Sequence, residues 1–193
     1  PVIDGEIVLV GDEKVLTEEL RKYSGKYPEE RVSIRHASEV IFNEEAPVKA
    51  IRTKKDSSMV VGISMVKKGE GDLFISAGSS GALMAGGLFI LGRIQGIDRP
   101  AIASVYPILG ANHPSLLVDA GANAECKPQN LLEFGVMGSI YMEKVIGLSA
   151  PRVGLVNLGA EETKGSTLTK AAYEMLHKRL VNFIRHGKAP IVP

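Results

Sequence analysis

The chain has 193 residues, of which 45% are hydrophobic and 23% charged, and its formal net charge is +1. This balance is typical of a globular protein with one good core, and the small net charge gives no case for binding nucleic acid. No segment has the apolar length of a membrane-spanning helix, and the opening PVIDGEIVLV lacks the pattern of a signal peptide. The single cysteine, Cys126, fits a reducing compartment, so we expect a cytoplasmic protein.

Short apolar runs alternate with longer segments of helical periodicity along the chain. In chain order, the predicted elements are strand Glu6–Val10, a helix from its cap Asp12 to Lys22, strand Arg31–Arg35, a helical stretch Lys49–Lys68 with a second start at Ser57 or Ser58, strand Asp72–Ser76, helix Ser80–Leu91, strands Ala101–Val105 and Leu116–Asp119, helix Pro128–Ile146, strand Arg152–Leu158, helix Ser166–Leu180 and strand Val181–Ile184. Strands that alternate with helices form right-handed crossovers, so they predict a mainly parallel sheet with helices on both faces. We therefore expect one α/β domain over residues 1–193, with three layers, α/β/α.

Ligands of such sheets bind beyond the carboxyl ends of the strands, so the loops at these ends are the first candidates for a site. Their residues are small, amide-bearing or charged, which suits a small anionic ligand. The loops are Gly11-Asp12, His36-Ala-Ser38, Ala77-Gly-Ser-Ser-Gly81, Asp119-Ala-Gly-Ala-Asn123 and Asn157-Leu-Gly-Ala-Glu-Glu-Thr-Lys-Gly165.

The glycine loop (Gly78, Ser79, Ser80 and Gly81) lies where a predicted helix begins, and the first amide groups of a helix have no partner within it. The two glycines would let a phosphate approach the backbone, and the serines add hydroxyl donors. The same residues suit a simple turn with serine as the helix cap equally well. Because neither G-x-G-x-x-G nor a P-loop is present, the loop does not indicate a nucleotide.

The basic run (Lys49, Arg52, Lys54 and Lys55) is the densest positive patch. One interpretation is a solvated helix face, and the other is a collar that attracts an acidic partner or substrate. Lys54 and Lys55 directly precede a helix start, so at least one of them is placed to turn towards the strand ends.

The loop from Asp119 to Asn123 puts a carboxylate and an amide at one strand end. No second carboxylate or histidine is placed to complete a metal site with Asp119, so we predict no metal. Cys126 has no base adjacent in the sequence, which favours an inert side chain over a nucleophile. His36 is the one histidine at a predicted strand end.

The loop before the last long helix carries Glu161, Glu162 and Lys164. Its charges either lie on the surface beside a capped helix, or place the lysine ammonium in a pocket with a glutamate to orient it. No Ser/His/Asp arrangement can be argued from the sequence.

Five motifs in register resemble the bacterial phosphate acyltransferases of the PlsX type, and the resemblance runs from about Ile7 to Ile184. The motifs are Pro47-Val-Lys-Ala-Ile-Arg-Thr-Lys-Lys-Asp-Ser-Ser-Met59, Ser76-Ala-Gly-Ser-Ser-Gly-Ala-Leu-Met84, Leu91-Gly-Arg-Ile-Gln-Gly-Ile-Asp-Arg-Pro100, Asp119-Ala-Gly-Ala-Asn123 with Cys-Lys-Pro128, and Val153-Gly-Leu-Val-Asn-Leu-Gly with Glu-Glu-Thr-Lys-Gly165. Relative to that family, we expect an opening strand and its loop before Pro1, and a C-terminal portion, to be absent from this chain. The glycine loop has Ser79-Ser80 where the family usually has Asn-Thr, which keeps hydrogen-bonding groups.

The resemblance implies an enzyme that makes acyl-phosphate from acyl-acyl-carrier protein and inorganic phosphate in lipid synthesis. It also implies a fold like that of the isocitrate and isopropylmalate dehydrogenases, a homodimer, and peripheral membrane contact through segments not in this chain; no cofactor is implied. The alternatives are a short-chain enzyme of the phosphate acetyltransferase kind, and an inactive fragment that binds phosphate or carrier protein.

Transfer of an acyl group from a thioester to phosphate needs a site that holds phosphate beside the carbonyl and stabilises the developing oxyanion. The expected roles are phosphate binding by Gly78, Ser79, Ser80 and Gly81, catalysis by Lys164 with Asn123, contact with carrier protein or phosphate by Lys54, Lys55 and Arg93, and support by Asp119, Glu161, Glu162 and His36.

Overall fold

A computed structural model describes residues 5–158, 164–180 and 182–184. The chain divides into two compact units, an N-terminal unit over residues 1–93 and a C-terminal unit over residues 94–193. Within the described residues, each unit contains one two-stranded sheet and its own helices. The α/β class predicted from the sequence is confirmed, while the prediction of a single domain and of a three-layer arrangement stays a prediction.

The N-terminal unit is built on a parallel pair of strands. Its elements are β1 (Ile7–Gly11), α1 (Glu13–Arg21), a 3-10 turn (Glu29–Arg31), β2 (Val32–His36), α2 (Pro47–Thr53), α3 (Ser58–Lys68), α4 (Ser80–Gly86) and a π-helical turn (Gly87–Leu91). Strand β1 pairs with β2 in a register that sets Gly11 opposite His36. The carboxyl ends of both strands therefore meet at one edge.

Local signals fix where the helices of this unit begin. Three helices start at a side chain that accepts a hydrogen bond from the backbone of the first turn: Asp12 for α1, Ser57 for α3 and Ser79 for α4. The helix α3 ends at Gly69, whose φ of 75° is easily adopted only by glycine. Such caps act within a few residues, which is why the predicted bounds of these helices are close to the observed ones.

The core of the N-terminal unit lies between α2, α3 and α4. Its buried members are Ile51, Met59, Val60, Ile63, Ala82 and Ala85. Two glycines allow this close packing, because a β-carbon at Gly62 would collide with the Phe74 ring and one at Gly86 with the Ile63 side chain. The small residues of α4 thus bring its first turn, and the glycine loop with it, against α3.

The C-terminal unit contains an antiparallel pair of strands and two long helices. Its elements are β3 (Ala103–Tyr106), β4 (Ser115–Val118), α5 (Pro128–Lys144) and α6 (Thr167–Arg179). Its core packs Leu132 of α5 against Ala172 and Leu176 of α6, with Leu155 from the segment between these helices. Strands β3 and β4 were expected in a parallel sheet, but the connection over residues 107–114 is shorter than the dozen or so residues that a parallel crossover needs.

Two predicted strands are wrong for the described residues. The run Asp72–Ser76 forms no ladder, and Leu73 and Ile75 are 69% and 81% exposed. The run Arg152–Leu158 contributes only an isolated parallel bridge between Val153 and Phe183. An apolar run becomes a strand only when another backbone pairs with it, and that pairing is not a local property of the sequence.

Candidate functional site

The starts of two helices, α1 and α3, lie against the carboxyl ends of β1 and β2. His36 ends β2, and its Nδ1 atom accepts a hydrogen bond of 3.2 Å from the backbone N–H of Glu13, the first residue of α1. The cap of α1, Asp12, accepts from the N–H groups of Val15 and Lys14, each at 3.0 Å. These two bonds, the one from Val15 foremost, hold the pKa of Asp12 below its usual value, so its carboxylate stays charged beside the His36 ring.

The start of α3 is tied directly to the end of β2. Asp56 accepts hydrogen bonds from the hydroxyl of Ser38 at 2.6 Å and from its N–H at 2.9 Å, and both lower the pKa of Asp56. The chain around Glu39 runs parallel to that around Ser57, with the Ser58 N–H donating to the Glu39 carbonyl. The strand end that carries His36 is therefore fixed against the first turn of α3.

The glycine loop caps α4 and still leaves backbone donors unused. The Ser79 hydroxyl accepts from the Ala82 N–H at 3.3 Å, and the Ser76 hydroxyl accepts from the Gly78 N–H at 3.1 Å. Within the described part of the chain, the N–H groups of Ser80 and Gly81 donate to no protein atom. The loop is thus a capped turn whose next two amide groups remain available to an anion.

Packing contacts connect the glycine loop to the other helix starts of the N-terminal unit. A β-carbon at Gly78 would lie 3.6 Å from the Met59 methyl group in the first turn of α3, and one at Gly81 would lie 2.9 Å from Pro47, the first residue of α2. His36, Asp56 and the glycine loop are therefore linked through the first turn of α3. That the loops of the sheet edge form one ligand site stays a prediction.

The structure divides the basic run. The Lys54 ammonium donates to the Val40 carbonyl at 2.6 Å and to Glu45 at 2.7 Å, and it lies 5.3 Å from the centre of the Phe42 ring. Lys55 is exposed and its ammonium is 3.5 Å from the Ile51 carbonyl. Arg93, also exposed, follows the π-helical turn at the end of the unit.

In the C-terminal unit, Asp119 organises the loop that follows β4. Its carboxylate accepts hydrogen bonds from the N–H groups of Ile102, Ala122 and Asn123 and from the Asn123 side chain, over 2.7 to 3.2 Å. Partial burial would raise the pKa of Asp119, but these hydrogen bonds outweigh it, so that the pKa is lowered. The carboxylate therefore supports the loop rather than facing a ligand.

The Asn123 amide already uses both of its protons. Its Nδ2 donates to the Pro100 carbonyl and to Asp119, each at 3.0 Å. Within the described residues its Oδ1 accepts no hydrogen bond. A donor role towards substrate would cost Asn123 one of these bonds, whereas an acceptor role would cost none.

The segment before β3 is fastened to the start of α5 by buried polar groups. Asn130 and Glu133 are 1% and 7% exposed, and Glu133 accepts from the Asp98 N–H at 2.8 Å. Arg99 donates to the Glu125 carbonyl at 2.8 Å, close to Cys126. Burial raises the pKa of the Cys126 thiol, and the nearby Asp119 raises it further. A thiolate nucleophile is therefore disfavoured at this position, in agreement with the inert side chain that the sequence analysis favoured.

Lys164 is exposed, and its backbone is hydrogen-bonded to a neighbouring side chain. The Asn157 side chain donates to the Lys164 carbonyl at 3.1 Å. The next residue, Gly165, has a φ of 102°, and a β-carbon there would lie 2.5 Å from the Asn157 side chain, so only glycine fits. Glu161 and Glu162 lie outside the described residues.

Reasoning from the sequence missed the partners that hold these loops, namely Ser38, Asp56, Asn157, Asn130 and Glu133. Ser38, Asp56, Asn157 and Asn130 are short polar residues at or next to a predicted strand end or helix start, which was the signal available, whereas Glu133 lies in the second turn of α5. In residues 5–158, 164–180 and 182–184, no group of three His, Cys, Asp or Glu side chains could hold a metal ion. Within the same residues, no helix has both the length and the apolar character to cross a bilayer.

Comparison with solved structures identifies the fold class. The chain is similar to the crystal structure of a phosphotransacetylase from Streptococcus pyogenes, with a TM-score of 0.58 over 94% of this chain and 68% of that one. The sequence identity is 14%, so the likeness establishes the fold alone.

The sequence places the chain in a family. The model of the family described as fatty acid synthesis protein matches residues 3–191, and the chain belongs to that family. It is 55% identical over 190 residues to a phosphate acyltransferase of Alkaliphilus oremlandii, and 52% identical over 179 residues to one of Acetivibrio thermocellus. These alignments cover 98% and 93% of this chain but 56% and 52% of the relatives, so the chain spans about half of their length. The resemblance inferred from the five motifs is confirmed.

Proposed function

We propose that the chain carries part of the active site of a transferase that moves an acyl group from a thioester to inorganic phosphate. The observation that carries the proposal is the pair of unused amide donors at Ser80 and Gly81 in a member of this family. The relatives named phosphate acyltransferase support the reaction class. The proposed thioester is a long-chain acyl-acyl-carrier protein, which places the enzyme in lipid synthesis.

Phosphate would bind at the glycine loop, with its oxygens on the Ser80 and Gly81 N–H groups. The positive end of α4 favours an anion there, and no proton has to move, because phosphate is already charged near neutral pH. Water should be kept from the acyl-phosphate, which is readily hydrolysed.

Lys164 is the proposed catalytic cation. An ammonium group beside the reacting carbonyl would stabilise the oxyanion, or give a proton to the departing thiolate. The hydrogen bond from Asn157 supports this assignment, since it fixes the backbone of Lys164 while leaving its side chain exposed. Glu161 and Glu162 would orient the ammonium, and Asn123 would contact phosphate or substrate through its oxygen.

Lys55 and Arg93 remain the proposed contacts for an acidic carrier protein. Both are exposed on the N-terminal unit, and surface cations steer acidic partners. Lys54 is the weaker candidate, because Glu45 already pairs with its ammonium. A fold like that of the isocitrate and isopropylmalate dehydrogenases, a homodimer, a cytoplasmic location and peripheral membrane contact are carried over from the family resemblance.

A short-chain enzyme is the second candidate, favoured by the fold shared with a phosphotransacetylase. The natural protein that contains this chain would be incubated with labelled phosphate and either long-chain acyl-carrier protein or acetyl-coenzyme A. Long-chain acyl-phosphate supports the main proposal and acetyl-phosphate the second. Binding of substrates without product would contradict both and leave a non-catalytic binding protein.

The role of Lys164 is tested by Lys164→Ala with Lys170→Ala, an exposed lysine of α6, as the matched control. We expect Lys164→Ala to lower turnover by roughly 100-fold or more, with little change in melting temperature, and Lys170→Ala to leave both unchanged. Full activity in Lys164→Ala would remove the assignment.

A further inference from the structure

We propose that His36 is a further catalytic residue of this reaction, whose Nε2–H group donates a hydrogen bond to the carbonyl oxygen of the thioester. The inference rests on the proposed function and gives a role to one more side chain of the same site. It follows from the tautomer of the ring, from its position and from the charges around it.

A hydrogen bond from the first residue of α1 determines which ring nitrogen of His36 carries the proton. The Glu13 N–H is a backbone donor at a helix start, and it donates to Nδ1 of His36 at 3.2 Å. A ring nitrogen that accepts a hydrogen bond carries no proton, so the proton of the neutral ring is on Nε2. Within the described residues Nε2 has no hydrogen-bond partner, and the residue is exposed. His36 therefore presents one N–H donor to whatever binds beyond the strand ends.

The position of the ring is fixed on both sides. His36 pairs with Gly11 at the carboxyl end of the parallel strands, and the following Ala37 N–H donates to the Gly11 carbonyl at 2.8 Å. Asp56, which is hydrogen-bonded to Ser38, directly precedes the Ser57 cap of α3. Met59, in the first turn of this helix, lies against Gly78. The donor thus stands next to the helix turn that borders the glycine loop.

The surrounding charges favour a neutral acceptor. The carboxylates of Asp12 and Asp56 both interact electrostatically with His36, and both are held in their charged form by hydrogen bonds. They would repel a phosphate dianion at Nε2 more strongly than a carbonyl oxygen, which is uncharged in the substrate and gains at most one negative charge during the reaction. The two ligands would therefore bind to different groups of the site. Phosphate would bind to the amide groups of the glycine loop, and the thioester carbonyl would accept a hydrogen bond from His36.

The role is that of a hydrogen-bond donor and not of an acid. A phosphate oxygen forms the new bond to the carbonyl carbon, and the carbon–sulfur bond breaks with its electron pair going to sulfur. The thiolate takes its proton from Lys164 or from water, while the proton of His36 stays on Nε2. The hydrogen bond from Nε2 polarises the carbonyl and stabilises the oxygen as charge develops on it.

Two substitutions separate this role from a structural one. His36→Asn keeps an oxygen near the position of Nδ1, so it can still accept from Glu13, but it has no group at the position of Nε2. His36→Gln loses the acceptor at the position of Nδ1, but its side-chain amide reaches the position of Nε2 and can donate a hydrogen bond from there. Steady-state rates with the thioester and with phosphate as varied substrate, and melting temperatures, would be measured on the natural protein that contains this chain.

We expect His36→Asn to lower kcat/KM for the thioester about 100-fold with an unchanged melting temperature and an unchanged KM for phosphate. His36→Gln should retain activity within about tenfold of the original. Full activity in His36→Asn, or an equal loss in both variants, would overturn the inference. A wild-type protein that forms no acyl-phosphate would instead contradict the proposed function.

Discussion

Lys54 and Lys55 are neighbours in the sequence, but their surroundings differ. The ammonium of Lys54 is held by Glu45, by the Val40 carbonyl and by the Phe42 ring, and its side chain is 26% exposed. The sequence analysis placed at least one of the two to turn towards the strand ends, but it could not tell which ammonium would be paired. Which ammonium is paired depends on the conformation of the chain between residues 40 and 45, and the hydrophobic periodicity of the sequence does not predict that conformation.

This contrast predicts different effects on stability. Lys54→Met should lower the free energy of unfolding by about 1 to 2 kcal/mol, because it removes the ammonium donor from the Val40 carbonyl and leaves the Glu45 carboxylate with only the Phe42 N–H as its hydrogen-bond partner. Lys55→Met should change it by less than about 0.5 kcal/mol. Urea unfolding of the two variants checks the expectation, and equal effects would contradict it.

Among the elements, the helices, the segments β1 to β4 and the parallel pairing of β1 with β2 could be predicted from the sequence, but the antiparallel pairing of β3 with β4 could not. Helix starts such as Asp12, Ser57 and Ser79 are fixed by a side chain that bonds the next turn. Strand pairing depends on distant residues, which is why Asp72–Ser76 was wrongly predicted as a strand. The glycine loop was placed correctly at a helix start, but its unused donors became visible only once every neighbouring bond was known.

Proline offers a test of those donors at the scale of one helix. Ser80→Pro removes the N–H at the first position of α4, which the helix itself does not use, and Ser79 before it, with φ of −55° and ψ of 114°, lies outside the helical region that a following proline disfavours. Thr167→Pro is the matched control, because it is the first residue of α6 and also follows a serine cap with a non-helical backbone.

Both variants should fold. Phosphate at 100 times its dissociation constant should stabilise the original protein by about 2.7 kcal/mol relative to chloride at equal ionic strength. We expect Thr167→Pro to keep this effect in thermal unfolding and Ser80→Pro to lose most of it. An unchanged effect of phosphate on Ser80→Pro would move the phosphate site elsewhere.

For the whole molecule, hydrogen-bonded carboxylates set the response to acid. Five carboxyl groups of the described residues have a lowered pKa, each because hydrogen bonds favour the charged form: Asp12, Glu29, Glu45, Asp56 and Asp119. A carboxyl group whose pKa is lower in the folded than in the unfolded state contributes stability that is complete above the unfolded value, about 4, and is lost as the pH falls through the folded value.

The melting temperature should therefore be level from about pH 7 to pH 5 and should fall steadily below about pH 4. Thermal unfolding followed by circular dichroism across this range measures it. Asp119→Asn should show a shallower fall than the original protein, because its side chain no longer takes up a proton. A melting temperature that stays constant down to pH 3 would contradict the expectation.

The amide of Asn123 has a consequence for which oxyanions the site admits. Both of its protons are committed to Pro100 and Asp119, so only its oxygen is left to form a hydrogen bond with a ligand. An anion that binds to that oxygen must itself bring a proton. Hydrogen phosphate has one at neutral pH and sulfate has none, although the two ions have nearly the same size and shape. Asn123 would in this way discriminate against sulfate because sulfate has no proton to donate, and not because of its charge.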